Sequence, residues 1–199
     1  MTDIHINKKD NLAHLLALAI KLEPVLFQEV QSLASTDELT QAFNLNFFNV
    51  NLLSEVKRAQ LLSYPLGVLL VAVDEPESAM TKYGSLAVDE MLKTVARLLH
   101  GNLRGTDWMA RIASDEFAVI LPGCQADRLQ DIGHKLLRTL SSALFKLPDG
   151  EMEGIRVTVA GVVCGDGFVL ETADILRAAD KALQQAEEAG SKKVVVRSI

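Results

Sequence analysis

The sequence is poor in the features that mark secreted, membrane-spanning and nucleic-acid-binding proteins. Its 199 residues include only two cysteines, Cys124 and Cys164, which form no Cys-x-x-Cys pair, so we expect a reduced, cytoplasmic protein. The chain has no basic-then-apolar signal peptide, and its apolar runs are too short for a membrane span. Lys and Arg number 20 against 26 Asp and Glu, which argues against binding DNA or RNA through a broad basic face.

Hydrophobic residues make up 49% of the chain, which is enough for a packed core and excludes a disordered segment. The apolar run at 65–74, bounded by turn-forming residues, predicts a central strand buried on both faces. Further strands are predicted at 108–112, 116–121, 155–164 and 193–197, and helices at 11–35, 46–62, 76–82, 86–101, 125–145 and 171–189. This order predicts an α/β fold in which helices flank a central, mainly antiparallel sheet.

The polar residues Ser35, Thr36 and Asp37 mark a boundary, because such residues suit the start of a new helix or turn. We assign residues 1–35 to an N-terminal helical segment and residues 36–199 to the main domain. The apolar stripe of the first segment is too short to predict a coiled coil. The segment is therefore either a helical cap on the main domain or a stalk that dimerises or transmits a signal.

Four segments carry a family resemblance, and they occur in order along residues 36–199. Residues 37–48 read DELTQAFNLNFF, residues 83–90 YGSLAVDE, residues 111–117 RIASDEF and residues 178–183 AADKAL. Together they resemble the GGDEF family, the diguanylate cyclases, with ASDEF in place of the signature. The resemblance implies a palm-like fold in which a dimer joins two GTP molecules into cyclic di-GMP. Divalent ions held by carboxylates would offset the charge that develops in that reaction.

The metal site that the resemblance implies is incomplete. Its first carboxylate position is occupied by Ala72, and Asp74 lies two residues further along the strand, ~6.6 Å away. Asp115 remains as the one weak candidate ligand, although Mg²⁺ in phosphate sites normally needs several carboxylate oxygens. The four histidines share no metal-ligand spacing. We therefore expect no bound Mg²⁺ and no required cofactor.

The positions that the resemblance assigns to the substrate are changed as well. In the turn, Ala113 and Ser114 replace two glycines, and each adds a Cβ where a nucleotide would approach. Met80 stands where the family reads guanine, and Glu77 and Glu187 stand where it has cations for the triphosphate. We expect no cyclase activity. The vestigial active site consists of Ala72, Asp74, Asp89, Ala113, Ser114, Asp115 and Glu116, in which the carboxylates at 89, 115 and 116 are retained.

One binding motif is intact. Arg104 and Asp107 form Arg-x-x-Asp, six residues before Ala113, which resembles the family's inhibitory product site. An arginine fork binds phosphate or the O6/N7 edge of guanine, and a carboxylate accepts hydrogen bonds from guanine N1 and N2. Candidate additional cations for the same ligand are Arg111, just before the turn, and Arg97, Arg128, Lys135 and Arg138 on the flanking helices; we favour Arg111 and Arg138. The alternative is an ion pair between Arg104 and Asp107 across a turn, with no ligand.

These residues favour a non-catalytic receptor that binds cyclic di-GMP and signals through contacts with a partner protein. A homodimer is compatible with the resemblance. Two alternatives stay open: a protein-interaction scaffold that acts through residues 11–35 without nucleotide, and a GTP-binding or weakly active diguanylate cyclase that retains Asp89 and Asp115.

Overall fold

The computed structural model of the chain describes residues 35–190 and 194–199. In chain order these residues form β1 (Phe43–Asn44), α1 (Leu45–Leu62), β2 (Leu66–Val73), α2 (Pro76–Tyr83), α3 (Ser85–His100), β3 (Trp108–Arg111), β4 (Glu116–Pro122), α4 (Ala126–Ser141), β5 (Leu144–Lys146), β6 (Met152–Gly154), β7 (Val157–Cys164), α5 (Thr172–Glu188) and β8 (Val194–Ser198). The predicted helix at 11–35 lies outside the described residues, and the division of the chain at residue 35 stays a prediction. None of the described helices has the length and apolar character needed to cross a lipid bilayer.

A six-stranded sheet with the order β1-β3-β4-β2-β7-β8 forms the centre of the described fold. The three inner pairings, β3 with β4, β4 with β2 and β2 with β7, are antiparallel. The two outer pairings, β1 with β3 and β7 with β8, are parallel. The predicted mixed fold with a mainly antiparallel sheet is therefore confirmed.

Strand β2 is buried along its whole length, as its continuous apolar run predicts. Its side chains alternate between two cores on the two faces of the sheet. Leu69 and Val71 pack with residues of α3 and α4, whereas Val68 and Leu70 pack with residues of α1 and α5. The sheet thus lies between two helical layers.

Helix α4 approaches the sheet closely because two glycines lie at the contact. Gly161 of β7 is opposite Leu69 of β2 in the sheet register. A Cβ at Gly161 would lie 2.6 Å from Leu69 Cδ2 and 2.8 Å from the Val68 carbonyl oxygen. A Cβ at Gly133 of α4 would lie 2.7 Å from Val194 Cγ1 of β8. A larger side chain at either position would push the helix or a strand out of place.

Two features of the fold differ from the predictions. Helix α4 ends at Ser141 instead of 145, and residues 144–146 pair with 152–154 in a small hairpin. Phe145 is buried between the exposed residues Leu144 and Lys146, which is the period of a strand. The other difference is β1, a two-residue strand that pairs with β3 and was not predicted. A strand this short has too few side chains to show a period.

Candidate functional site

The carboxyl end of β2 meets the start of β4, and several residues of the predicted vestigial active site come together there. In the sheet register Ala72 lies opposite Glu116 on one side and Thr158 on the other. Together with Asp74 and Asp115, these residues line an open cavity of about 380 Å³, which we call the acidic cavity. The structure therefore gathers Ala72, Asp74, Asp115 and Glu116 at one place.

The other three residues of the predicted set lie elsewhere. Asp89 is on α3 and does not line the acidic cavity. Ala113 and Ser114 are exposed in the turn between β3 and β4. Neither of them has a positive φ. The backbone of this turn therefore does not need the conformational freedom that glycine would supply at these two positions.

Arg111 holds this turn, and its contacts leave little of it for a ligand. Its guanidinium Nη1 donates to both carboxylate oxygens of Asp37, at 3.2 and 3.3 Å, and Nη2 donates to the Ser114 carbonyl oxygen. Burial alone would raise the pKa of Asp37, but hydrogen bonds from Thr40 and Arg111 lower it overall. Two cavities lie beside Arg104 and Asp107, and Arg111 lines neither of them. The structure does not bring it together with Arg104 and Asp107 as predicted.

The acidic cavity is crowded with negative charge. Six of the described residues that line it are carboxylates, and one, Arg156, is a cation whose guanidinium pairs with Glu75. Burial, and then the nearby carboxylates of Asp115, Asp180 and Glu187, raise the pKa of Glu116 above its ordinary value. Glu75, Arg156 and Thr158 were not predicted to lie here, since no motif links them to the turn between β3 and β4. The cavity disfavours a triphosphate electrostatically.

Replacing Glu116 by glutamine is expected to stabilise the protein at pH 7 by roughly 0.5 kcal/mol. The pKa of Glu116 is raised in the folded state, so its ionisation opposes folding, and this penalty grows as pH rises through the raised pKa. The gain should disappear below about pH 4, where glutamate is protonated in both states. Denaturant unfolding of E116Q at both pH values measures it.

The matched control for this prediction is Glu151→Gln, since Glu151 is exposed in the loop between β5 and β6. Its stability should match wild type at both pH values. If E116Q is less stable than wild type at pH 7, the interpretation of Glu116 as a crowded charge is wrong.

Arg104 and Asp107 lie in the loop between α3 and β3 and line a cavity of about 430 Å³. Arg128 and Lys135 of α4 line the same cavity, which we call the basic cavity. Burial raises the pKa of the nearby Cys124 thiol overall, although the positive charges of Arg104 and Arg128 lower it. Three cations thus line one cavity together with two carboxylates, Asp107 and Asp131, which leaves a small excess of positive charge.

In this loop the side chains of Arg104 and Asp107 do not form an ion pair, which was the alternative to a ligand site. Asp107 Oδ2 accepts a hydrogen bond of 2.8 Å from the backbone N–H of Arg104, and the Asp107 N–H donates to the Arg104 carbonyl at 3.0 Å. Among the described residues, the Arg104 guanidinium has no ion-pair or hydrogen-bond partner. The arginine fork is exposed and its carboxylate neighbour is held in place by the backbone.

Of the cations that were candidates to accompany Arg104, the structure brings Arg128 and Lys135 to the cavity and leaves out the two that were favoured, Arg111 and Arg138. Arg138 is exposed in the last turn of α4 and does not line the basic cavity, whereas Arg128 and Lys135 do. These two residues are seven positions apart, which places them on one face of a helix. That spacing was visible in the sequence, but which face of α4 turns toward Arg104 depends on the packing of the helix against the sheet.

A second cavity, of about 420 Å³, lies on the other side of Arg104 and Asp107. Phe43 of β1 and Trp108 of β3 line it, and we call it the aromatic cavity. Arg104 and Asp107 line both cavities, so one ligand that contacts these two residues has access to both.

Comparison with known proteins identifies related domains. A family model described as the diguanylate cyclase GGDEF domain matches residues 34–193. The probable diguanylate cyclase DgcT of Escherichia coli is 27% identical over 170 residues, 85% of this chain and 37% of its own length. The response regulator PleD of Caulobacter vibrioides is 32% identical over 166 residues, 82% of this chain and 36% of its own length. The chain thus spans little more than a third of the length of these relatives.

A solved structure shares the fold. The GGDEF domain of DgcB from Caulobacter crescentus, in complex with c-di-GMP, superposes with a TM-score of 0.77 at 21% identity. The match covers 82% of this chain and 93% of that chain. The similarity confirms the predicted palm-like α/β fold with helices on both faces of the sheet.

Proposed function

Because the chain belongs to the GGDEF domain family, we propose that it is a receptor for cyclic di-GMP that does not convert GTP. The observation that carries the proposal is the exposed guanidinium of Arg104, which lies beside Asp107 and has no partner among the described residues. The dinucleotide binds at this pair, and the bound state is passed to a protein partner.

The chemistry of the basic cavity suits a ligand with two phosphates and two guanines. Arg104, Arg128 and Lys135 offer three cations, and a planar arginine fork binds phosphate or the O6/N7 edge of guanine with two hydrogen bonds. Asp107 uses one oxygen for the Arg104 backbone and keeps acceptor capacity for guanine N1–H and N2–H₂. A ligand with both groups satisfies the arginine and the aspartate together.

The acidic cavity supports the non-catalytic part of the proposal. Family chemistry uses divalent cations held by carboxylates, but Ala72 carries no ligand atom and Asp74 Oδ1 accepts a hydrogen bond of 2.9 Å from Thr158 Oγ1. Within the described ranges no three His, Cys, Asp or Glu side chains are grouped so as to hold a metal ion. The missing carboxylate at residue 72 and the hydrogen-bonded Asp74 support a site without a bound divalent cation, and no metal-dependent step is assigned to it.

The proposed receptor signals through contacts with a partner protein, and the alternative scaffold function also depends on protein contacts. Helix α1 exposes several large apolar side chains, among them Val50, Leu53 and Leu61, which are 66%, 42% and 83% exposed. Val50, Leu53 and Leu61 lie within one side of the helix by their spacing. Exposed apolar groups in one region are typical of interaction surfaces.

Isothermal titration of the full chain with cyclic di-GMP tests the receptor, and chromatography after incubation with GTP and Mg²⁺ tests turnover. We expect binding that is micromolar or tighter and no cyclic di-GMP formed from GTP. Absence of binding heat would remove the receptor function, and product formation would show that the domain is a cyclase. If the protein neither binds the dinucleotide nor forms it, the scaffold function and binding of GTP without turnover are left.

A further inference from the structure

Trp108 is the only tryptophan in the chain, and it is half-buried beside Asp107 at the first position of β3. It is not part of the Arg-x-x-Asp motif. It packs against the core on the α1 face of the sheet, and it also lines the aromatic cavity together with Arg104. Trp108 therefore has a role in packing and a surface that faces the candidate ligand site.

The ring of Trp108 is held by two other aromatic rings. Its centroid lies 5.8 Å from that of Phe43 and 5.7 Å from that of Phe47, in tilted arrangements. Phe43 and Phe47 stack on each other, with centroids 3.7 Å apart. The sheet register supports this group, because Phe43 pairs with Ala110, which is two residues from Trp108 and so on the same face. An aromatic surface fixed in this way needs no reordering when a ligand stacks on it.

The two cavities at Arg104 offer different chemistry. The basic cavity adds the cations Arg128 and Lys135, whereas Arg104 is the one Lys or Arg among the described residues that lines the aromatic cavity. A cyclic dinucleotide has the same division, with a charged phosphodiester ring and flat bases on either side of it. Base–aromatic stacking contributes about 1–3 kcal/mol per base, which is about 5- to 150-fold in affinity.

We propose that the aromatic cavity is a base-stacking subsite in which one purine of the bound dinucleotide lies on Trp108. Its phosphodiester ring contacts Arg104 and extends toward Arg128 and Lys135 in the basic cavity. The inference rests on the proposed function, because it assumes that Arg104 and Asp107 bind the dinucleotide. It adds a specific affinity determinant outside the motif, and it makes the single tryptophan a reporter of binding.

Tryptophan fluorescence and calorimetry of the full chain test the subsite. Titration with cyclic di-GMP should quench the emission of Trp108 and protect it from quenching by acrylamide. By calorimetry, Trp108→Leu should bind at least about 10-fold more weakly than wild type. Trp108→Phe, the matched control, keeps an aromatic face and should stay within about 3-fold. Thermal unfolding of both variants reports whether the fold is intact.

The outcomes separate the subsite from the receptor function. If wild type binds the dinucleotide with unchanged emission and unchanged acrylamide quenching, and Trp108→Leu binds equally well, the subsite is wrong and the receptor function stands. If wild type shows no binding heat, both are wrong. If Trp108→Leu fails to fold, the emission of wild type and the affinity of Trp108→Phe decide the question.

Discussion

Replacing Arg104 by alanine is expected to weaken binding of cyclic di-GMP by at least about 30-fold. Arg104 lines both cavities, and its guanidinium can form two parallel hydrogen bonds with phosphate or guanine. Its loss removes charge-assisted hydrogen bonds that contribute about 2 kcal/mol or more, which is the stated factor in affinity. Isothermal titration of R104A beside wild type measures the change. Because Arg104 is exposed and has no partner among the described residues, thermal stability should not change.

Other arginines and lysines of the chain provide controls for charge and for position. Arg97 of α3 and Arg138 of α4 are exposed and line neither cavity, so R97A and R138A should bind as wild type does. Arg128→Ala and Lys135→Ala should each weaken binding, and the remaining affinity should depend less on salt concentration. A loss in R138A that equals the loss in R104A would show that the ligand contacts α4 outside the basic cavity as well, contrary to the proposed placement.

Replacing Gly161 by alanine is expected to destabilise the domain by about 3 kcal/mol. The added methyl group would lie within 3 Å of the Val68 carbonyl oxygen and of Leu69 Cδ2. The side chain of Leu69 can move only into a fully buried core, and the backbone of β2 is fixed by pairing on both edges. Inserting a methyl group into such a contact costs roughly 1–3 kcal/mol, and the backbone contact places this site at the upper end. Denaturant unfolding measures the difference.

Gly165 is the matched control, because it lies just beyond the end of the same strand and a Cβ there meets no atom within 4 Å. Gly165→Ala should leave stability within about 0.5 kcal/mol of wild type. Equal stability of G161A and wild type would mean that β2 and β7 separate more easily than the sheet pairing indicates.

Much of the fold was predictable because its central strand carries an unambiguous pattern. A continuous apolar run between turn residues gives a strand that is buried on both faces, and β2 is such a strand. The end of α4 was predicted four residues too late, since Leu144 and Phe145 extend a helical pattern as well as a strand pattern. The turn around Gly150, which has a positive φ of 94°, closes the hairpin and decides between the two.

The candidate site was predictable only where a motif has local geometry. Arg104 and Asp107 are three residues apart, so one turn brings them together and the sequence is sufficient. The role of Arg111 depends on Asp37, which is 74 residues away, and no local pattern reports that contact. The choice of Arg128 over Arg138 depends likewise on how α4 rotates against the sheet, which follows from tertiary packing.

Hydrogen bonds to main-chain carbonyl groups hold the turn between β3 and β4. The Val73 N–H donates to the Asp115 carbonyl at 2.9 Å, the Ile112 N–H donates to the Glu116 carbonyl at 2.9 Å, and Arg111 binds the carbonyl of Ser114. None of these contacts uses the side chain of residue 113 or 114, and the Ser114 hydroxyl donates only an exposed hydrogen bond of 2.9 Å to the neighbouring Asp115 carboxylate. Mutations at those two positions can therefore accumulate over evolution at little cost in stability. The main-chain atoms of the turn maintain the fold, whereas the side chains at 113 and 114 determine what the turn presents to a ligand. Selection on ligand binding can therefore be lost at this turn while selection on the fold is maintained.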